Sequence, residues 1–401
     1  MPSNTVERPI RVIFLVFYFE AWDSLDEIYR RMLEDERFDP RVITIPRKLT
    51  GYEDFTDEPL VSAFFTESGI AHERFSFEDS TFGLERLKEL DPDYVFLNYP
   101  WQRNYQIGYK IQQLIPFTRV CYVPYFTSSL VEEPGVDGIA LHQFMQPTHR
   151  LAHMIFLQDA EVKSAFDEAD YGNHVYRTGS PKIDALLASR ETATPTWPLD
   201  RILDSGRRPL RLLWGPHHSY GPTWLNFGVF AEICHDMLEF ARSNPDIDVV
   251  LRPHPFLFGT LTDGDLMTSE ELASWQRNWD ALPNTALDIG TPFTAIFLAA
   301  DTLLTDGISF LVEYPLVTGH PVIFWEKAEH WAFTATGALA AEASIRVKDM
   351  TEFTDLIATL QEEKLPDRSA QIAALTSYVS PHPGQAAARI LKRVVKDFIK
   401  G

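Results

Sequence analysis

Short apolar runs recur along the chain, separated by segments of helical period. In the first half the runs are RVIFLVF (11–17), RVITIP (41–46), YVFLNYP (94–100), RVCYVPY (119–125), MIFLQ (154–158) and HVYRTGSP (174–181). Helical spacing fills the intervals at 24–34, 59–68, 105–115 and 159–168. Continuous apolar runs suit strands buried on both faces, and their alternation with helices predicts a doubly wound parallel sheet. The stretch ASRETATPTWPLDRILDSGRRP (188–209), rich in proline, threonine and charge, reads as an interdomain linker. A second series follows: RLLWGP (211–216), a helix across 223–243, DVVLRP (248–253), a unit around 284–300, a βαβ unit through 302–325 and IRV at 345–347. The expected organisation is α/β: two Rossmann-like domains, 1–190 and 208–380, facing across a cleft, then a helix within 384–401.

Composition narrows this picture. A chain of 401 residues exceeds one ordinary core, and 45% apolar residues suffice for two. A formal charge of −21 argues against nucleic acid as a partner, because phosphate backbones demand clustered lysine and arginine. Cys121 and Cys234 sit in strand-like and helix-like runs, as buried thiols of a reducing compartment do. The most apolar stretch, VIFLVFYF at 12–19, is too short to span a bilayer and precedes no cleavage site, so a cytoplasmic location is expected. In AAARILKRVVKDFIK (386–400) an apolar stripe opposes five basic residues. Packing across the two domains is the plainer expectation for this helix; peripheral contact with an anionic membrane is the alternative.

The candidate chemistry gathers where strands of the second series end. In an open parallel sheet, ligands bind beyond the carboxyl ends of the strands. Pro216-His217-His218-Ser219 follows RLLWG, Pro253-His254-Pro255 follows DVVLR, and Asp306-Gly307-Ile308-Ser309 follows TLLT. The last is a turn before a helix, with Ser309 as the expected N-cap and Gly319 as the stop; its free N–H groups suit a phosphate. His254, held between prolines, is aimed at such an anion, with Arg252 a further candidate. His217 and His218 are adjacent, so in extended chain their rings diverge and one faces the ligand. Glu313, one turn beyond Ser309, suits a ribose diol, the alternative being an exposed helix glutamate. DIGTPFT (288–294) offers a wall for a nucleobase. CxxC and HExxH are absent and no spacing offers three or four ligands, so no metal is expected, and Asp263-Gly264-Asp265 reads as a turn.

In order and rough spacing, LLWGPHHS, LRPHP and ADTLLTDGISFLVEYPLVTGHPVIF resemble the CDP-glycerol glycerophosphotransferase family, which builds teichoic acids and related capsules. YVFLNYP, CYVPYF and TGSPKIDAL extend the resemblance over most of residues 11–395. It implies a GT-B fold with a CDP-linked donor in the second domain and no required cofactor. His254 would contact the donor phosphates, Asp306, Gly307 and Ser309 would form the diphosphate turn, and Glu313 would hold the ribose; His217, His218, Ser219 and Arg252 complete the expected donor site. Many members carry a WHGTPLK-like stretch where this chain has CYVPYFTSS, without a histidine. The base is therefore sought after the first strand, at Glu20 or Asp23, with His142, His149 and His153 as weaker options.

The expected reaction is attack of an acceptor hydroxyl, on a polymer or lipid-linked precursor, upon the β-phosphate of a CDP-polyol, with CMP leaving. A GT-B glycosyltransferase and a catalytically idle nucleotide-binding assembly subunit are the alternatives; a 2-epimerase of the same shape is less favoured.

Overall fold

The computed structural model describes residues 7–49, 53–126, 129–134, 145–158, 174–222, 224–362 and 365–401; the helix expected at 159–168 and His142 lie outside them. The chain divides into two compact units. Met1–Thr127, Gly135–Ala185 and Val379–Gly401 form the first; Ser128–Pro134 and Leu186–Tyr378 form the second.

The first unit is built on seven parallel strands: β1 (Ile10–Val16), β2 (Phe38–Thr44), β3 (His72–Arg74), β4 (Tyr94–Leu97), β5 (Arg119–Tyr122), β6 (Met154–Leu157) and β7 (Val175–Arg177). Their order is β3-β2-β1-β4-β5-β6-β7. The second unit has β8 (Leu210–Gly215), β9 (Ile247–Leu251), β10 (Thr285–Leu287), β11 (Thr302–Thr305), β12 (Ile323–Trp325) and β13 (Ile345–Val347), also parallel, in the order β10-β9-β8-β11-β12-β13. Each sheet winds outward from its first strand in both directions, so the strand order reverses beside β1 and beside β8. The central strands are buried on both faces, which is why they read as unbroken apolar runs.

Three local departures from the sequence pattern have physical causes. The segment at 105–115 is one 3₁₀ turn, Ile107–Tyr109, and a short helix, Ile111–Leu114, with another 3₁₀ turn, Gln102–Asn104, just before it. A Cβ on Gly108 would lie 2.3 Å from the Ser80 carbonyl oxygen, so the chain is drawn too close to the neighbouring helix to continue one of its own. The helix expected from 223 starts at Phe230, because Leu225 and Asn226 have φ of 58° and 57°. The stretch read as a linker is partly laid on the second unit. There the Thr196 N–H donates to Ala295 O, and Trp197 and Arg201 both donate to the buried carboxylate of Asp248.

The C-terminal helix, Ala386–Lys400, belongs to the first unit. Ile390, Leu391, Val394 and Val395 join the core formed by Val12, Phe14, Tyr94 and Phe96, and Asp397 accepts hydrogen bonds from Tyr94 (2.7 Å) and His153 (2.8 Å). Those four apolar side chains are thus core, while Ile399 at the end of the helix is exposed. Among the described residues no helix is long and apolar enough to cross a membrane. Ile390→Val should lower the unfolding free energy by about 1 kcal/mol; equilibrium denaturation checks this.

Candidate functional site

The loops after β8, β9 and β11 meet at the carboxyl edge of the second sheet, beside its switch point. Gly215 ends β8 without a side chain because a Cβ there would stand 2.7 Å from the Phe310 ring, and its absence seats the helix Phe310–Thr318 against the strand. Beyond β8 and β9 the two chains stay in register: Arg252 N–H donates to Trp214 O at 2.7 Å and His254 N–H to Pro216 O at 3.0 Å.

Asp306 ties the third loop to the first. Its carboxylate accepts the N–H of His217 (2.5 Å) and of Val229 (2.7 Å) while only 2% exposed. Burial pushes its pKa up to about 7 despite those donors, which favour the anion. Asp306 therefore organises the turn, because a carboxylate occupied by two amides offers nothing to a phosphate. Gly307 is required at the next position, since a Cβ would lie 2.9 Å from that of His217. The N–H of Gly307 is taken by Thr305 Oγ1 at 3.0 Å, and those of Ile308 and Ser309 find no acceptor among the described residues. Ser309 is not the side-chain cap expected of it; its backbone is already helical (φ −62°, ψ −38°) and its hydroxyl makes no cap hydrogen bond.

The histidines correct the sequence expectation most sharply. His217 and His218 do not diverge: their ring centroids lie 4.7 Å apart, and the His254 ring stands 5.1 Å from the first and 4.1 Å from the second, stacked on it. Strand alternation fails because residues 216–219 are a loop, turned by the hydrogen bond from Ser219 N–H to His217 Nδ1 at 3.3 Å. His254 makes the same contact two residues on, with Phe256 N–H donating to its Nδ1 at 3.2 Å. Ser219 is fully buried; its hydroxyl accepts Phe227 N–H at 3.1 Å, which leaves its proton for His217 Nδ1 at 2.9 Å.

One nitrogen from each of the three rings falls within 4.8 Å of the others, so a metal ion is within their reach and the expectation that no histidine set could hold one was too strong. The hydrogen bonds favour a different ligand. A metal-bound imidazole normally donates from its other nitrogen, whereas Nδ1 of His217 and of His254 accepts. In the neutral ring that puts the proton on Nε2, a donor suited to an anion. Burial keeps the rings neutral, lowering His218 to about 4 and, with a neighbouring ring adding to it, His217 and His254 well below the usual histidine range. Ser219→Ala should cost about 1–2 kcal/mol of stability by stranding the Phe227 amide, measurable by thermal unfolding.

Arg252 is engaged elsewhere: it pairs with the buried carboxylate of Asp288 and lies 4.6 Å over the Phe293 ring. Asp288 also accepts from Thr291 N–H and Oγ1, so this arginine braces the DIGTPFT loop. Glu313 is 2% exposed on the helix behind the turn, which removes the exposed-glutamate alternative. Asp288, Phe256 and Phe293 were not singled out individually in the sequence; the Pro-His-x pattern repeated at 216–219 and 253–256 is the signal that pairs His217 with His254.

In the first unit Glu20 and Asp23 follow β1 in the 3₁₀ segment Phe19–Ser24. Glu20 Oε1 is 2.7 Å from Nη1 of Arg47, a side chain only 5% exposed, and Asp23 lies 3.7 Å from Lys182 Nζ. His149 is buried in a capping box at the start of Pro147–Leu151, with its pKa down to about 3, and His153 holds the C-terminal helix through Asp397. Asp263 ends a helix and Gly264 caps it, as a turn requires.

Two parallel α/β units wound in this order define a GT-B fold. Solved structures agree: the chain is similar to UDP-GlcNAc 2-epimerase from Neisseria meningitidis bound to UDP-GlcNAc, with a TM-score of 0.61, 15% identity, and 97% of this chain and 100% of that one covered. It is similar to S. aureus MnaA in complex with UDP, at TM-score 0.60 and 13% identity over 96% of both chains. The wall teichoic acid polymerase TagF, as a variant soaked with CDPG, gives TM-score 0.58 and 12% identity over 99% of this chain and 91% of that one. At these identities the likeness is one of fold. No family model matches the sequence, and no curated protein matches it.

Proposed function

We propose that this protein is an enzyme acting on a nucleotide-activated donor, and specifically a transferase that moves glycerol phosphate or a similar polyol phosphate from a CDP-linked donor to a hydroxyl, releasing CMP. The observation that carries this reading is the cluster of His217, His218 and His254 beside the Gly307–Ser309 turn. It combines neutral imidazole N–H donors with unpaired backbone amides at the switch point, a set suited to a diphosphate. The ordered motifs favour the CDP-glycerol chemistry within that class.

In the proposed reaction the acceptor oxygen bonds to the donor's β-phosphorus as the bond to CMP breaks, and the histidine and turn N–H groups stabilise the charge that develops on the phosphoryl oxygens. The acceptor's proton passes to a carboxylate. Glu20 and Asp23 are the candidates, each held by a neighbouring cation, Arg47 and Lys182 respectively. The acceptor is taken to be a cell-surface polymer or its lipid-linked precursor.

Nucleotide-sugar chemistry of the epimerase kind is the second reading, favoured by the structural likeness to enzymes solved with UDP and UDP-GlcNAc. Product analysis separates the two. Incubation with CDP-glycerol and a polyol-phosphate acceptor should release CMP; conversion of UDP-GlcNAc to its 2-epimer with no CMP formed from CDP-glycerol would replace the first reading by the second.

A further inference from the structure

The three histidine rings are packed against one another. Their centroids lie 4.1–5.1 Å apart, Nδ1 of two of them is engaged by backbone amides, and the His218 ring makes no side-chain hydrogen bond among the described residues. We propose that this site takes up its diphosphate together with one proton, carried by the histidine cluster with His218 as the principal carrier. The inference rests on the donor-binding reading above.

Without a ligand, each ring resists protonation chiefly because its niche is poorly solvated, and a charged neighbouring ring adds to this for His217 and His254. A bound diphosphate reverses that balance. An opposite charge within about 4–6 Å raises a histidine's pKa by about 1–3 pH units, which brings His218, at about 4 when the site is empty, towards neutrality. His218 is also the ring with an open choice of proton position; the other two are fixed as Nε2 donors by their backbone contacts.

The surrounding groups support this placement. Phe256 faces His218 edge-on at 5.6 Å and adds no charge. Arg252, at the end of the same strand as His254, is neutralised by Asp288. Beneath His217 stands Asp306, whose field is shared with Tyr220 and Lys327, and Lys327 is itself paired with Glu232 at 2.6 Å. Asp306 is the second place a proton could rest, so the test must tell it from the histidines.

The test is calorimetric binding of CDP-glycerol and of UDP-GlcNAc, diesters whose phosphates do not titrate near neutrality, in buffers of different ionisation enthalpy. For the wild-type protein at pH 5–6 the heats should report net uptake of up to about one proton, fading above about pH 7, and affinity should fall up to about tenfold per pH unit between about pH 5 and 7. His218→Gln should retain measurable binding and lose most of the uptake, while Asp306→Asn should keep it. Binding with no buffer dependence overturns the inference and leaves the donor site standing. Uptake that survives His218→Gln and disappears in Asp306→Asn overturns it in favour of the carboxylate. Failure to bind either diester at any pH removes the donor-binding reading itself.

Discussion

His254→Ala is expected to weaken nucleotide-diphosphate binding by about tenfold to a hundredfold, the range for losing one hydrogen bond to a charged group. Turnover of a productive donor should fall by about 10²–10³, the typical effect of deleting one donor to a developing oxyanion. The physical basis is local. The ring is fixed through Nδ1 by Phe256 N–H and stacked on His218, so its Nε2–H is presented to the ligand at little further entropic cost. A half-buried ring can be truncated without collapse of the sheet, and circular dichroism should report a folded variant. His254→Gln restores an N–H donor on a more flexible side chain and should recover part of the binding. Unchanged affinity in His254→Ala would show that the ring is packing and that the ligand lies elsewhere.

The second large effect is on stability. Asp306→Ala removes the acceptor of two amides, those of His217 and Val229, in a fully desolvated place. Each stranded N–H costs about 1–3 kcal/mol, so the variant should lose about 2–6 kcal/mol of unfolding free energy, read from denaturant midpoints at constant slope. The same variant should lose nucleotide binding, since the His217 loop is released. Asp306→Asn keeps one acceptor and the shape, and its comparison with wild type carries a pH signature. The native carboxyl has a pKa of about 7 against 3.8 when unfolded, so between these values the native state holds a proton that the unfolded state has lost. Wild-type stability from this group is present below about pH 3.8 and is lost as pH rises through about 7. The asparagine variant lacks that slope, so its stability relative to wild type should improve across the same window.

Much of the fold could be read from the chain because parallel strands covered by helices on both faces are written as unbroken apolar runs. RVIFLVF and RLLWG needed no partner information to be recognised as central strands. What could not be read is set by contacts distant in sequence. Gly108 breaks a helical pattern because of Ser80, and the positive φ at Leu225 and Asn226 delays a helix that periodicity alone would have started at 223. The apolar face of the last helix was plain, but its place in the first unit's core depends on strands hundreds of residues earlier.

The site shows the same division. That the loops after β8, β9 and β11 share an edge follows from strand order alone. That three rings form one cluster does not, because adjacent histidines diverge in extended chain and converge only when a backbone amide turns the loop. The change in the reading of Asp306 is of the same kind: a turn carboxylate beside a phosphate loop looks like a ligand group until its two amide partners are known. Arg252 likewise looked free for an anion until Asp288, 36 positions along, was seen to hold it.

The account depends most on His217 and His254 presenting Nε2–H to a nucleotide diphosphate. Nitrogen-15 NMR of histidine-labelled protein, assigned by single His→Gln variants, reads the tautomer of each ring directly. The result predicted is Nε2–H on both rings in the free protein, with both signals, and that of His218, shifting as CDP-glycerol is added. Protonation at Nδ1 in either ring, or spectra unmoved by saturating CDP-glycerol and UDP-GlcNAc, would contradict it.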